Sequence, residues 1–332
     1  MIENDKTIVL KKLISSLQEN SNNPVEAEKS LNEIHAHFQD ITKITGFDHN
    51  IKHLAAVPAA KGKALGLNFA AQCLLDYKRT LQFLKAIYRA ILEKQKNRPG
   101  ETIKIFYAGC GPYAPFITLI ASLFTKEELR FSVLEINEKS LDSAKKLIHS
   151  MGLSGYVQEF HLADAVTFKI PDPGSFHILI SETLDALLYR ECYVPILFNL
   201  LPQFNKNSTV IPENVLINLS LTSHSKEDNA DEEHKVGAVF NVREALSSLG
   251  HASHIPAKLP KKRVDLRALA KEGFENILLE TQVHIYDDIW LHRNESSLTV
   301  AYEIKLEQPL SNTIVFYYQL EPEIALQYTF QN

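Results

Sequence analysis

The sequence predicts an α/β protein in which a doubly wound, largely parallel sheet is followed by an antiparallel, barrel-like β half. Three observations predict this fold class. Short apolar strands alternate with helical segments between residues 103 and 211. A Gly-x-Gly turn at Gly109 and Gly111 joins the first of these strands to the segment after it. Beyond residue 211, strand-like segments follow one another without a convincing crossover helix, which favours antiparallel pairing.

The first 66 residues are predicted to form a helical extension ahead of the sheet. Apolar residues recur there at helical spacing, at Leu10, Leu13, Ile14 and Leu17. Asn23-Pro24 begins a further helix, because proline is well tolerated in a first turn. From Asn68 to about Lys96 the apolar spacing predicts one long amphipathic helix.

The parallel and antiparallel parts are predicted as separate domains, residues 67–211 and 212–332. Strands of the parallel sheet are predicted at Ile103–Ala108, Phe131–Leu134, Val157–Leu162, Phe176–Ile180 and Ser208–Ile211. Its connecting helices are predicted at Ala114–Phe124 and at Ser140–Met151, with Gly152 closing the second. Antiparallel strands are predicted at Val215–Ser220, Ile277–Ile285, Leu298–Leu306 and Thr313–Gln319.

Composition and charge argue against several classes of protein. The 332-residue chain carries a net charge of -5, so we expect no nucleic-acid partner, whereas cationic substrates remain possible. Three widely spaced cysteines predict reduced thiols and a cytoplasmic protein. We expect neither a secretory leader nor a membrane span, because no long apolar run is present. No histidine or cysteine pattern has a recognised metal-ligand spacing, so no metal is expected.

The turn at Gly109 and Gly111 suits a nucleotide cofactor. Glycines there let the backbone bend sharply and approach a ligand closely. Glu135 ends the next strand, 24 residues after Gly111, where doubly wound folds offer a carboxylate to ribose hydroxyls. Asp164 follows the third strand, within reach of an adenine edge. A dinucleotide oxidoreductase is a competing interpretation, although Ala114 replaces the third glycine of its motif.

An acidic loop, Ser181-Glu-Thr-Leu-Asp-Ala-Leu-Leu-Tyr-Arg-Glu191, follows the fourth strand. Glu182 lies at the end of the strand, and Glu191 follows nine residues later. Two carboxylates returned to one point can bind a planar guanidinium through paired hydrogen bonds. The simpler interpretation is a capping role for Glu182 and a surface position for Glu191.

These motifs resemble those of the protein arginine methyltransferases, which have a class I methyltransferase sheet followed by a β-barrel domain. The family's double-glutamate loop reads Ser-Glu, eight residues, then Glu, and Ser181, Glu182 and Glu191 match it in register. Leu75-Asp-Tyr-Lys-Arg-Thr80 looks like the family's Asp-x-x-Arg-Thr helix. The resemblance covers about residues 67–220 well and the rest loosely.

The resemblance implies a cofactor, S-adenosyl-L-methionine, and a role for each site residue. The residues implied to bind the cofactor are Arg79, Gly109, Gly111, Glu135 and Asp164. Glu182 and Glu191 are implied to be catalytic, since in the family they bind and polarise the guanidinium. Arg79 would pair with the cofactor's carboxylate. The resemblance also implies a homodimer formed through an arm in residues 225–262, whose apolar positions are Val242, Ala245 and Leu246.

Four departures from the family pattern bear on the mechanism. Tyr107 replaces the acid that usually begins the glycine motif. Thr183-Leu-Asp-Ala186 replaces the usual Trp-Met-Gly-Tyr in the acidic loop. No Thr-His-Trp loop lies near the C-terminus, and the single tryptophan, Trp290, does not align with it. Residues 1–60 have no family counterpart. The identity of the proton acceptor is therefore left open.

The expected reaction is methyl transfer to an arginine guanidino nitrogen. We favour free L-arginine or a related small guanidine, because the N-terminal extension could close a groove into a pocket. Asp185, in place of a family glycine, could then face an α-ammonium group, which needs a partner when buried. Three alternatives remain: arginine in a protein substrate, a different small-molecule nitrogen or oxygen, and an inactive cofactor-binding scaffold.

Overall fold

The N-terminal part of the chain, where the structure describes it, is mostly helical. The structure is a computed structural model that describes residues 23–224, 231–250, 252–266, 274–306 and 312–332, so the apolar positions from Leu10 to Leu17 lie outside it. Its first elements are α1 (Pro24–Thr42), α2 (Ile51–Leu54), β1 (Val57–Pro58), β2 (Lys63–Ala64), α3 (Leu67–Gln72) and α4 (Tyr77–Asn97). As predicted, a helix begins at Pro24, and the Asn23 side chain caps it by accepting the Glu26 N–H.

The single long helix predicted from Asn68 to Lys96 is wrong, because the chain breaks at Asp76. The backbone of Asp76 has φ -75° and ψ 83°, which is not helical. Its carboxylate accepts the N–H of Arg79 at 3.2 Å and so caps α4. Aspartate competes for backbone N–H groups in this way, which favours a helix start over a helix interior.

Five parallel strands form the central sheet, in the order β5-β4-β3-β6-β7. They are β3 (Ile103–Ala108), β4 (Leu129–Glu135), β5 (Val157–Leu162), β6 (Ile178–Ser181) and β7 (Thr209–Ile211). The connecting helices are α5 (Pro115–Thr118), α6 (Glu138–Ser150) and α7 (Tyr193–Leu200). The order runs outward from β3 in both directions, so the carboxyl ends of β3, β4 and β6 border the crevice where such sheets bind ligands.

The helix predicted at Ala114–Phe124 is also wrong. Ala114 has φ +42°, in the left-handed region, and only α5 and a short turn at Ala121–Leu123 are helical. Most of the segment is buried, including Ile117, Leu119 and Ile120. An apolar run without a polar face carries no helical periodicity, so its type is not readable from sequence.

The second half of the chain is antiparallel, as predicted. Its elements are β8 (Asn214–His224), β9 (Asp231–Asn241), α8 (Val242–Ser248), β10 (Lys262–Asp265), β11 (Asn276–Tyr286), β12 (Ile289–Leu291), β13 (Tyr302–Lys305), β14 (Thr313–Gln319) and β15 (Ala325–Gln331). One sheet has the order β12-β11-β8-β9, with β13 also paired to β11, and the other is β10-β14-β15. The described helices include none that is both long enough and apolar enough to cross a membrane.

One antiparallel strand starts later than predicted. The expected strand Leu298–Leu306 is confined to β13, and a short helical turn at Ser297–Thr299 precedes it. The Ser296 side chain caps this turn by accepting the Leu298 N–H at 3.1 Å. Serine at a cap competes with strand pairing, which explains the late start.

Candidate active site

A cavity at the carboxyl ends of the parallel strands brings all of the predicted site residues together. Its empty space, mouth included, is about 1030 Å3, the size of a cofactor cleft. The predicted residues that line it are Arg79, Gly109, Gly111, Glu135, Asp164, Glu182 and Glu191. The structure also places residues there that the sequence did not indicate: Lys63, Cys73, Cys110, Thr183 and Cys192.

The glycine turn after β3 forms one wall of the cavity. Gly109 has φ +76° and Gly111 has φ +64°, conformations that side chains rarely adopt. A Cβ at Gly109 would also collide with Cγ2 of Thr183 in the acidic loop. Glycine at 109 is therefore required twice, by its backbone angle and by the close approach of the neighbouring loop.

Glu135, at the end of β4, is buried and fixed by the backbone. Gly111 N–H donates to its Oε2 at 2.8 Å, and Asn137 N–H donates to its Oε1 at 2.9 Å. Burial raises the pKa of Glu135, and the N–H groups of Asn137 and Gly111 oppose that rise. Because a carboxylate has about four acceptor positions, this arrangement leaves room for hydroxyl donors of a ligand.

Asp164 has a second role that its position in the sequence did not reveal. Its Oδ2 accepts the N–H of Ala60 at 2.6 Å, and its Oδ1 accepts the N–H of Val166 at 2.9 Å. Ala60 belongs to the turn between β1 and β2, 104 residues away in sequence. Asp164 thus fastens this hairpin against the parallel sheet.

The β1–β2 hairpin forms part of the cavity wall through Ala59, Lys63 and Ala64. Ala60 of the hairpin donates to Asp164, the N–H of Lys63 donates to the carbonyl of Arg190 at 3.2 Å, and Lys61 pairs with Glu321. Gly62, with φ +78°, packs so closely on Arg190 and Ile324 that a Cβ would collide with both. The hairpin therefore contacts the parallel sheet, the acidic loop and the β half. Only the turn residue Gly62 could have signalled it in the sequence.

Arg79 and Glu182 form a buried ion pair in the wall of the cavity. Nη2 of Arg79 donates to Oε2 of Glu182, and the two side chains are only 8% and 10% exposed. Oε1 of Glu182 is buried without a hydrogen-bond partner among the described residues. Burial raises the pKa of Glu182, and the charge of Arg79 works against that rise.

Glu191 lines the same cavity, so it is not the surface residue of the simpler interpretation. Burial, followed by the negative charge of Asp185, raises the pKa of Glu191 to about 8, while Arg79 acts in the opposite direction. No described residue forms a hydrogen bond with its carboxylate. Glu182 also contributes to raising this pKa, so the two carboxylates interact electrostatically.

The acidic loop takes a strained path that the β half holds in place. Leu187 and Leu188 have φ of +58° and +53°, which costs about 1–2 kcal/mol for each such residue. Leu187 N–H donates to Oγ1 of Thr281 at 2.8 Å, and the Tyr318 hydroxyl donates to the carbonyl of Leu188 at 2.6 Å. Leu184 and Leu188 are buried. The strain stays because β11 and β14 fix the loop.

Asp76, the acid of Asp-x-x-Arg-Thr, joins the helical side of the cavity to the β half. Its Oδ2 accepts the Ser297 N–H at 2.7 Å and the hydroxyls of Ser296 and Ser297 at 2.8 and 2.7 Å. Its Oδ1 caps α4 at Arg79. One carboxylate thus fixes the start of the helix from which Arg79 reaches the cavity.

The departures from the family pattern occupy different places. Tyr107 lines the cavity wall, 2% exposed, with its hydroxyl donating to the carbonyl of Cys110 at 3.4 Å. Trp290 stacks on His284 with ring centroids 4.0 Å apart and does not line the cavity. Asp185 is not a lining residue either, and its Oδ1 is buried. The described residues contain no group of three or more His, Cys, Asp or Glu placed to hold a metal.

Comparison with known proteins identifies a similar fold but no protein that is similar in sequence. No protein-family model matches the sequence, and no curated protein matches it. Among solved structures, the chain is similar to the Trypanosoma brucei PRMT1 enzyme-prozyme heterotetrameric complex with AdoHcy. The TM-score is 0.51 at 8% identity, and the match covers 80% of this chain and 93% of that chain. The fold is that of a protein arginine methyltransferase. The predicted fold class is therefore confirmed, with a Rossmann-like parallel sheet and an antiparallel β half.

Proposed function

We propose that this protein transfers a methyl group from S-adenosyl-L-methionine to a guanidino nitrogen. The observation that carries the proposal is the pair Glu182 and Glu191 beside the glycine turn. Both line one cavity, Oε1 of Glu182 is buried without a partner, and Glu191 has no hydrogen bond to a described residue. Carboxylate oxygens without a partner, such as Oε1 of Glu182, favour a cationic ligand that can donate several hydrogen bonds, which describes a guanidinium.

The residues around the cavity suit the proposed cofactor. Arg79 offers a cation to a carboxylate group, and the remaining acceptor positions of Glu135 suit ribose hydroxyls. Asp164 lies at the third strand, on the adenine side of such sites, although its bonds to Ala60 and Val166 use part of its capacity. The glycine turn presents backbone to the cavity, and a Cβ at Gly109 would collide with Thr183. The excess of carboxylates also suits a sulfonium cation.

Guanidinium is a poor nucleophile, because it is protonated with a pKa of about 13 or higher and its lone pairs are delocalised. When bound, the cofactor supplies an electrophilic methyl group. Glu182 and Glu191 would hold the guanidinium, orient one nitrogen and concentrate electron density on it. Orientation supplies much of the rate, since effective molarities reach about 10^5 M or more in well-aligned pairs.

Glu191 is the best placed acceptor for the proton that the nitrogen loses. Its raised pKa, about 8, makes its ionised form a stronger base than an ordinary carboxylate. Glu182, by contrast, is held by Arg79 in a direct ion pair. No histidine lines the cavity among the described residues, so a carboxylate takes the role that the missing Thr-His-Trp loop left open.

For the substrate, we propose free L-arginine or a related small guanidine. The hairpin of β1 and β2 lies against Arg190, next to Glu191, and contributes Ala59, Lys63 and Ala64 to the cavity wall. We infer that a hairpin at this place restricts access to the glutamates and so favours a small acceptor over a folded protein surface. Asp185 does not support the ammonium-binding role, because it does not line the cavity and its Oδ1 is buried.

Transfer of label from methyl-labelled S-adenosyl-L-methionine tests both the proposed guanidine methylation and the proposed small substrate. The enzyme is incubated separately with L-arginine, an Arg-Gly-rich peptide and L-lysine, and label is expected on L-arginine. Glu191→Gln should abolish the transfer, whereas Glu127→Gln, at an exposed glutamate outside the cavity, should not change it. Transfer only to the peptide would overturn the small-substrate proposal. Label on lysine alone, or binding of S-adenosylhomocysteine without transfer to any acceptor, would overturn guanidine methylation.

We also propose that the protein forms a homodimer, on the basis of the family resemblance. The apolar residues of α8 do not provide its interface, because Val242 and Leu246 are buried within the chain's own β half. Ala245 packs against the same core. Light scattering coupled to gel filtration should give twice the mass of the 37.6 kDa chain; a single-chain mass at assay concentration would contradict the proposal.

A further inference from the structure

Lys63 is a cation of the cavity wall to which the proposed chemistry gives no role. It belongs to β2 and lines the cavity, and the residue is exposed, as expected at the rim of a site that opens to solvent. Its N–H donates to the carbonyl of Arg190 at 3.2 Å, so its backbone lies beside the residue that precedes Glu191. This bond fixes the position of Lys63 next to the acidic loop.

The two basic residues of the cavity wall are in different situations. Among the described residues, Arg79 and Lys63 are the lysines and arginines that line the cavity. Arg79 is buried and donates to Glu182, so much of its charge is already compensated. No described acidic residue forms an ion pair with Lys63, whereas Lys61 in the same hairpin pairs with Glu321. Lys63 therefore keeps a positive charge at the cavity that an anionic group of a ligand can meet.

The charges that line the cavity match those of a free guanidino acid. Glu182 and Glu191 offer carboxylates to the guanidinium at one end of L-arginine, and Lys63 offers an ammonium group to the carboxylate at the other end. A lysine suits this position, because its flexible four-carbon stem lets the charged group reach across a rim while it stays hydrated. An arginine inside a peptide has neutral amide groups in place of that carboxylate, so it offers Lys63 no anion.

We propose that Lys63 binds the carboxylate of the acceptor and so selects guanidines that carry a free carboxylate, as L-arginine does. The inference rests on the proposed methyl transfer to a guanidino nitrogen and adds to it the chemistry of the far end of the substrate. The contact is a charge-assisted hydrogen bond remote from the reacting nitrogen. Because it is the same before and during methyl transfer, its loss should raise KM and leave kcat nearly unchanged.

Agmatine, which is L-arginine without its carboxylate, is the matched acceptor for the test. In the natural enzyme, kcat/KM should be about fivefold higher for L-arginine than for agmatine, the effect of one ion pair close to solvent. Lys63→Ala keeps the backbone bond to Arg190 but removes the charge, so KM for L-arginine should rise by about the same factor and the preference should disappear. Lys63→Arg should restore it. Lys61→Ala, at a hairpin lysine that does not line the cavity, is the control and should keep the preference.

Equal kcat/KM for the two acceptors, or an unchanged KM for L-arginine in Lys63→Ala, would overturn the inference. The cofactor also has a carboxylate, so binding of S-adenosylhomocysteine is measured by calorimetry. Weaker binding in Lys63→Ala without a change in KM for L-arginine would assign Lys63 to the cofactor and overturn the inference too. If the protein methylates no guanidine, the proposed function fails by itself. Calorimetry on protein saturated with S-adenosylhomocysteine then decides: tighter binding of L-arginine than of agmatine, lost in Lys63→Ala, supports the role of Lys63, and equal binding refutes it.

Discussion

Glu135 ends β4 and Glu182 follows β6, the two strands on either side of β3, yet their carboxylates differ in how many hydrogen-bond partners they have. Both oxygens of Glu135 accept backbone N–H groups, from Gly111 and Asn137. Glu182 uses one oxygen on Arg79, and its other oxygen is buried without a partner among the described residues. At the end of β4 both carboxylate oxygens have a backbone partner, whereas after β6 one carboxylate oxygen has none.

From this difference we infer that Glu135 shapes the site and that Glu182 receives a ligand. A buried acceptor without a partner costs about 1–3 kcal/mol. The 181–191 loop adds left-handed backbone at Leu187 and Leu188, which neighbouring strands must stabilise. Unsatisfied groups and strain concentrate at functional sites. The comparison therefore predicts that substitutions after β6 affect turnover, whereas those after β4 affect cofactor binding.

The largest effect is expected from Glu182→Gln. The change keeps the shape of the side chain but removes the charge that would stabilise the guanidinium, so kcat should fall by about 100-fold or more. Affinity for S-adenosylhomocysteine, measured by calorimetry, should change little. A near-normal kcat in this variant would contradict the prediction that substitutions after β6 affect turnover.

Gly109→Ala should damage the glycine turn through a defined collision. The new Cβ meets Cγ2 of Thr183, and overpacking of this kind costs about 1–3 kcal/mol. The left-handed φ adds about 1 kcal/mol. Thermal unfolding should show a lowered Tm, and Thr183→Ser in the same chain should recover part of the loss because it removes Cγ2. No recovery in the double variant would show that backbone strain alone is responsible.

Glu135→Gln should weaken cofactor binding and leave chemistry largely intact. A hydrogen bond to a charged group contributes about 1.5–3 kcal/mol, so the dissociation constant of S-adenosylhomocysteine should rise about tenfold or more. At saturating cofactor, kcat should stay close to normal. A loss of kcat without weaker binding would contradict the scaffold role that its two backbone bonds indicate.

Glu191 should make stability depend on pH. Its pKa is raised from 4.5 to about 8 in the folded chain, so the folded state holds this proton more tightly than the unfolded state. The stability that this tighter proton binding gives to the folded state is fully present below pH 4.5 and is lost as pH rises towards 8. Glu191→Gln removes the dependence, so its Tm relative to the natural chain should increase between these pH values. A constant Tm difference would mean that Glu191 titrates normally.

Lys61→Ala should have the smallest effect on stability. Its ion pair with Glu321 is at the surface, where Glu321 is 57% exposed, and such pairs contribute about 0–1 kcal/mol. The hairpin keeps its bonds to Asp164 and Arg190, so the Tm should hardly change. Limited proteolysis within residues 57–64 is a more sensitive measurement of local opening than the Tm. A large loss of Tm would show that the hairpin depends on this tether more than on Asp164.

Local pattern in the sequence determined much of the scaffold. The buried strand Ile103–Ala108 and the partly exposed strand Val157–Leu162 were predicted with their observed bounds, since short strands bounded by turn residues are recognisable. The helix after β4 was predicted to within two residues, because it has an apolar face and Gly152 follows its end with a left-handed backbone. The positions of the glycine turn after β3 and of Glu135 at the end of β4 were predicted from the alternation of strands and helices. The assignment of catalytic and cofactor-binding roles, and the domain limits at 66 and 211, stay predictions.

Tertiary structure alone decided how the site is closed. Arg79 pairs with Glu182 across 103 residues, and Ala60 binds Asp164 across 104. Thr281 and Tyr318 hold the strained loop from strands whose sequence shows only alternation. Sequence periodicity records which face of an element is buried, but it does not record what that face meets. The sequence therefore determined where the carboxylates stand along the chain, and only the packed fold decided which of them have partners and which are left for a ligand.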